Sequence, residues 1–340
     1  MGAMTPTRTA RPSTAAVAGA LLIVYVVWGS TYLAIRIMID TLPPLLAAGF
    51  RYATAGLIMY GAVLAYRRLR PSAEPVERPT ALHWRSTFII GTLLLLGGNG
   101  GVVLAELRIP SGLAAVLVAT VPIWLALFDS ILTRRPPSLL VLGGLVAGIV
   151  GVAVLLVPVD GLDDIDPVGV VLVVAGTFCW AAGSLYARRA PLPRSGLLAT
   201  GMEMIGGGIA LAVGGILLGE PGRMVVERFS TSSLLAVAYL IVFGSIVAFT
   251  AYTWLLANTS VSVIGTYAYV NPIVAVGLGA LLRSEPITLR TVIATVIILG
   301  AVVAMVSGRP RIVEESGPDP EVGCLDRDAH GTDRATGSAS

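Results

Sequence analysis

The sequence predicts an all-α integral membrane protein, with ten transmembrane helices arranged as two inverted five-helix repeats. Three observations point there: a composition too apolar for a water-soluble domain, ten apolar runs separated by charged or Pro-containing segments, and short motifs that recur at a nearly constant offset. Of 340 residues, 55% are hydrophobic and 13% charged, with a mean hydropathy of +0.85. Soluble domains carry about 25% charged residues. A helix crossing a bilayer needs about 20 mostly apolar residues, so ten of them use roughly 200 positions and leave only short loops and two tails. No room remains for a large soluble catalytic domain.

The apolar runs fall at 15–39, 44–66, 86–106, 109–133, 138–158, 167–187, 195–218, 232–256, 262–283 and 287–307. The first follows Arg8 and Arg11 but is longer than the apolar region of a signal peptide and has no A-x-A-type cleavage site, so it reads as an uncleaved span. With the N-terminus inside, the cytoplasmic segments carry 14 Arg and the opposite loops five. The positive-inside rule therefore places both termini in the cytoplasm. The loop holding Asp160, Asp163, Asp164 and Asp166 has no Arg and falls outside. Residues 1–14 and 309–340 lack apolar periodicity and are expected to be disordered tails flanking a first repeat at 15–158 and a second at 159–308.

The repeat is visible residue by residue. Trp28-Gly29-Ser30-Thr31-Tyr32 with Arg36 lines up with Trp180-Ala181-Ala182-Gly183-Ser184 with Arg188, an offset of 152, and the same offset sets Gly49 and Arg51 on Gly201 and Glu203. An offset of 150 sets Val121-Pro122-Ile123 on Asn271-Pro272-Ile273, and Pro136 on Pro286. Each half holds five spans. Five is odd, so the second copy threads the bilayer in the opposite sense, the construction by which secondary transporters expose a midplane site alternately to either side.

Trp28 through Tyr32 with Arg36, Pro43-Pro44 and Arg51 together resemble the first repeat of the EamA domain of the drug/metabolite transporter superfamily. Asn99 within Gly97–Gly101, Glu106, Pro110-Ser111-Gly112, Thr120-Val121-Pro122, Gly244-Ser245 and Tyr267 through Pro272 extend the likeness, and are similar to the YedA-like exporters of that superfamily. The resemblance covers residues 16–308. It implies ten helices, two EamA repeats and inner-membrane export of small molecules. One departure is local: the acidic residue ending the ninth span is kept as Glu285, but its counterpart after the fourth is Arg135.

An ionised side chain within a span costs roughly 2.5–3.5 kcal/mol on insertion scales, so Arg51 and Glu203 need an offsetting contact. Each lies about seven residues into its helix, roughly 10 Å deep at 1.5 Å per residue, and from opposite faces. Two readings stay open. Both residues border an aqueous cavity, Glu203 as a proton or cation site and Arg51 as an attractor of anionic groups, or each is bonded to helix carbonyls or hydroxyls and only fixes packing. Arg36 and Glu106, near the outer ends of spans one and three, form either an outer latch or two separately hydrated ends. Asp129 sits one turn from Arg134 near the cytoplasmic surface and reads as solvated.

Trp28, Thr31 and Tyr32 occupy positions i, i+3 and i+4, hence one helical face, and Trp180, Gly183 and Ser184 repeat it. Both tryptophans lie more than two turns from a span end, which argues against interface anchoring and for a pocket holding an organic solute by stacking and cation–π contact. Pro122 and Pro272, placed near the middle of spans four and nine, are expected to break or bend their helices and act as hinges, unless they are packing kinks alone. Asn99, Tyr267 and Asn271 offer hydrogen bonds to a solute, while Tyr267 and Tyr269 point to different sides of one helix.

Glycines such as Gly97 and Gly101, Gly144 and Gly148, and Gly206 to Gly208 lie inside apolar spans, where they are close-approach contacts between helices. A chain without lysine has no phosphate-binding G-x-x-x-x-G-K-[ST] loop, so ATP-driven transport by this chain alone is excluded. The two cysteines, Cys179 and Cys324, form no disulfide framework, and a net charge of +3 is too weak and scattered for nucleic-acid binding. Histidine is confined to His83 and His330, which leaves no metal or nucleophile–base constellation and no cofactor motif. The reading is a secondary carrier, an exporter of amino acids, related metabolites or amphiphilic drugs with protons as the candidate coupling ion. A passive facilitator or channel is the alternative, and a membrane enzyme or non-transporting sensor the remoter ones.

Overall fold

A computed structural model of the chain describes residues 13–69, 77–134, 139–156, 165–259 and 266–307. Helix α1 spans Thr14–Met38, α2 Pro44–Leu69, α3 Ala81–Ala105, α4 the two segments Ser111–Val118 and Val121–Thr133, and α5 Leu139–Leu156. Helix α6 spans Pro167–Ala187, α7 Gly196–Leu217, α8 residues 231–258, α9 Tyr267–Arg283 and α10 Leu289–Ser307. No strand occurs among the described residues. Six stretches, in α1, α3, α4, α6, α7 and α8, are long and apolar enough to cross a membrane, and α5, α9 and α10 hold shorter apolar ones. Large apolar side chains face outward, such as Phe50, Leu57 and Ile58 on α2 and Ile209, Val213 and Ile216 on α7. Hydrocarbon solvates them as well as a protein core would.

Helix starts follow local chemistry. Helix α3 begins at Ala81, five residues before the apolar run suggests, because Thr80 and His83 form a reciprocal cap: the His83 amide donates to Thr80 Oγ1 (3.2 Å) and the Thr80 amide to His83 Nδ1 (3.3 Å). Helices α2 and α4 follow Pro43 and Pro110, which have no side-chain oxygen to cap with. Their exposed amides are met from far along the chain. Glu220 accepts from the Leu45 and Leu46 amides (2.9 and 2.8 Å), and Glu285 accepts from Ser111 and Gly112 (3.2 Å each) and from the Ser111 hydroxyl.

The two prolines behave differently from one another. Helix α4 is interrupted at Ala119–Thr120, and Pro122 sits in the first turn of the following segment, where its missing N–H costs nothing. Helix α9 instead continues through Pro272, the sixth residue of its described span, so there the proline is inside a helix and not at the start of a segment. Beside it, the Asn271 amide nitrogen donates to the carbonyls of Tyr267 and Tyr25 (3.2 Å each), which braces α9 internally and against α1.

The main pairings between helices are symmetric under exchange of each helix with the one five positions on. Helix α1 packs on α8 and α9, and α6 on α3 and α4; α2 packs on α8, and α7 on α3; α2–α7, α4–α9 and α5–α10 pair with their own counterparts. Helices α2 and α7 meet main chain to main chain. A Cβ on Gly49 would lie 2.8 Å from the Gly208 carbonyl, one on Gly56 2.7 Å from the Gly201 carbonyl, and one on Gly208 2.6 Å from the Ala53 nitrogen. The glycines read from sequence as close-approach contacts thus include the central seam of the bundle.

Loops after α1, α3, α7 and α9 gather at one end, as alternate threading requires. Asp40 pairs with Arg283 and Arg108 with Asp166 (2.8 Å each), and the Ser230 amide donates to Thr41 Oγ1 (3.1 Å). At the opposite end Glu77 lies 4.0 Å from His83 and accepts from the Arg194 amide (3.4 Å).

Candidate transport pathway

Helices α3 and α8 each change from α to π winding at their centres, over Thr92–Asn99 and Leu240–Val247. A π turn widens the helix by a residue per turn and leaves carbonyls without their usual partners, a feature frequent at functional sites. Neither stretch was legible in the hydropathy pattern. Each faces one tryptophan of the repeated motif, and the site is built around these two contacts.

Around the α8 stretch, Trp28 Nε1 donates to the Gly244 carbonyl (3.3 Å), and its ring lies 5.2, 5.1 and 5.2 Å from the rings of Phe249, Tyr252 and Tyr267. Thr31 donates to the Trp28 carbonyl and turns its methyl toward Gly244. Tyr25 and Thr266 share a hydrogen bond between α1 and α9. So Trp28, Thr31 and Tyr267 come together. Tyr32, on the same face of α1, also packs against the α3–α4 side, and stands within electrostatic reach of Glu106 and Tyr52 as well as of Tyr267. The Tyr269 and Asp129 side chains and Arg135 lie outside the described residues.

Around the α3 stretch, Trp180 packs on Gly98, where a Cβ would lie 2.8 Å from its Cε3, and Ser184 donates to the Trp180 carbonyl (2.8 Å). Cys179 fills the equivalent space at Gly97. Next to them Trp124 Nε1 donates to Thr177 Oγ1 (3.0 Å) and Thr120 donates to the same oxygen (3.4 Å). Sequence reading passed over Trp124 and Thr177. The signal was the offset of 152, which sets Thr177 on Tyr25, the other hydroxyl that links its helix to the partner repeat.

Charges within the bundle fall into distinct settings. Arg51 is 2% exposed; its Nε donates to Ser245 Oγ in the π stretch of α8 (3.1 Å), its guanidinium carbon lies 4.4 Å from the centroid of the Tyr52 ring, and its Nη1 has no partner. Asn99 closes the α3 π stretch with a buried Oδ1 that is also unpartnered. Tyr32, Arg51 and Asn99 each lie six or seven residues from the same end of the bundle, roughly 10 Å deep at 1.5 Å per residue. Glu203 is half-buried on α7, without a hydrogen bond or ion pair among the described residues, and does not meet Arg51. The expected Arg36–Glu106 latch takes another form: Arg36 Nη1 donates to the Glu106 backbone carbonyl, while the carboxylate itself is buried. Separate hydration of the two ends does not hold, since Glu106 is 0% exposed.

Apolar, membrane-length helices that turn aromatic and polar groups inward have the build of a multi-pass membrane protein. The EamA-like transporter family matches the chain twice, over residues 16–157 and 167–307, and the chain belongs to that family. It is 38% identical over 292 residues to the uncharacterized inner membrane transporter YedA of Escherichia coli (strain K12), covering 86% of this chain and 90% of that one. It is 23% identical over 287 residues to the uncharacterized transporter YvbV of Bacillus subtilis (strain 168), covering 83% and 90%. A solved structure described as "Crystal structure of protein" superposes with a TM-score of 0.55 at 20% identity, covering 86% of this chain and 96% of that one. That likeness concerns the fold alone.

Proposed function

We propose that the protein is a secondary carrier of the inner membrane with ten membrane-crossing helices, both termini in the cytoplasm, and small metabolites such as amino acids, or amphiphilic drugs, as exported solutes. Its two halves, 15–158 and 159–308, are five-helix repeats of opposite threading that rock about the α2–α7 seam. The matching of the main helix pairings under a shift of five helices supports this, because carriers built on inverted repeats use such pairings to exchange the roles of their two halves. Hinge motion is assigned to the break before Pro122, with Pro272 as its counterpart.

One observation carries the reading. Buried polar atoms without partners, Arg51 Nη1 and Asn99 Oδ1, sit at one depth in a bundle surrounded by hydrocarbon, where such atoms are costly unless a solute or water meets them. Arg51 suits the carboxylate of the solute. Trp28 and Tyr267, with Trp180 and Ser184 in the other repeat, suit its organic body, and Thr31, Tyr32 and Asn271 complete the wall. Glu203 stands as a coupling site for protons. Amino-acid and amphiphilic-cation panels assayed in proteoliposomes test the proposal: uphill accumulation abolished by an uncoupler and reduced at least tenfold in Trp28→Ala supports a carrier. Flux that never exceeds its own gradient would establish a passive facilitator instead. Full activity with unchanged pH dependence in Glu203→Gln removes Glu203 from coupling.

A further inference from the structure

At the end where the loops after α1, α3 and α9 meet, a cavity of about 380 Å³ is walled by Arg36, residues 107–110 and residues 283–286. Glu106 adjoins this wall. The residue ends α3, its neighbour Leu107 and its hydrogen-bond partner Arg36 both line the cavity, and it is 0% exposed with neither carboxyl oxygen bonded. A structural carboxylate in such a place would be held by amides or hydroxyls, as Glu285 is held a short distance away by Ser111 and Gly112. Glu106 has nothing of the kind. A buried carboxyl without partners is tolerated in neutral form, and only water or a counter-charge allows it to ionise.

The charges around Glu106 suit that exchange. Arg36 of α1 and Glu285 of the loop after α9 reach it with opposite sign, and Tyr32 of α1 stands on its inner side. On α2, Tyr52 with Arg51 lies beyond Tyr32. Arg108, two residues on, is turned away to Asp166, and Arg283 to Asp40. On α10, Arg290 donates to the Val154 carbonyl of α5.

We propose that the Glu106 carboxyl is a proton-binding site of the carrier, sealed beside the cavity by Arg36 and by the Glu285 cap on α4, and exchanging its proton with cavity water when that cover separates. In that step the carboxyl O–H bond breaks, the proton passes to water, and Arg36 faces the resulting carboxylate. The proposal rests on the carrier reading and adds a second site for the coupling ion, on the other repeat from Glu203.

Infrared difference spectra of the detergent-purified full chain between acidic and alkaline pH test it. Wild type is expected to show the C=O stretch of a protonated carboxyl that is lost in Glu106→Gln and kept in Glu203→Gln. A band that persists in Glu106→Gln, or its absence from wild type, overturns the assignment. Should Glu106→Gln fail to fold, Glu106→Asp must shift the band, and an unshifted band refutes the proposal. A band removed by sodium chloride at fixed pH would mark a metal-cation site and overturn it too. Failure of the carrier reading shows separately, as absence of solute flux in proteoliposomes while the Glu106 band remains.

Discussion

Removal of the Glu220 carboxylate is expected to loosen the start of α2 from the second repeat. Gly219, with φ of +73°, turns the chain back after α7 so that Glu220, 6% exposed, presents both oxygens to the Leu45 and Leu46 amides at 2.9 and 2.8 Å. Gly215 makes room for it, since a Cβ there would lie 2.8 Å from Glu220 Oε2. A hydrogen bond to a charged group contributes about 1.5–3 kcal/mol, and loss of a helix cap about 0.5–2 kcal/mol. The two bonds share one carboxylate and water re-enters on truncation, so Glu220→Ala should cost about 2–4 kcal/mol rather than the full sum of both bonds. For a domain of this size that lowers the melting temperature by about 4–10 °C, read by thermal unfolding of the detergent-purified protein. Glu220→Gln, which keeps one acceptor, should fall between the two. If Glu220→Ala melts within about 1 °C of wild type, the cross-repeat cap contributes nothing and the reasoning fails.

Other outcomes follow from the same geometry. Gly208→Val places side-chain atoms against the Ala53 and Gly49 main chains, and should cost at least about 1–3 kcal/mol, whereas Gly61→Val, in open space, should leave the melting temperature nearly unchanged. Asp166 is held below the usual aspartate range first by its hydrogen bond from Arg108, then by that from the Val168 amide. A depressed carboxyl contributes stability that is present above its unfolded value and lost as pH falls through its folded one. Melting curves of wild type and Asp166→Asn should therefore converge in acid, and a difference that grows with acidity would contradict the pairing.

Much of the fold was legible because hydropathy is a local property. Where it is described, each apolar run is largely helix, and of the glycines between α2 and α7, Gly49 and Gly201 lay in a motif that the repeat offset had already aligned. Helix starts were less legible where the cap came from afar. Pro43 and Pro110 announce where α2 and α4 begin but offer no capping oxygen, and nothing near them names Glu220 or Glu285. Helix α9 continues through Pro272, and Asn271 beside it reaches a carbonyl of α1 that only the fold brings close.

For the site, the matched tryptophans and the intramembrane Arg51 were visible from spacing and from the cost of burying charge. Their partners were not. Composition and periodicity alone determined that this chain lives in lipid as a twice-repeated helical protein, since apolar length and internal offset are written along the chain. Tertiary packing decided that Arg51 meets Ser245, that Trp28 joins Tyr252 and Tyr267, and that Glu106 is shut away from both water and partners. Desolvation depends on what other helices place around a group, and those helices come from distant stretches of the sequence.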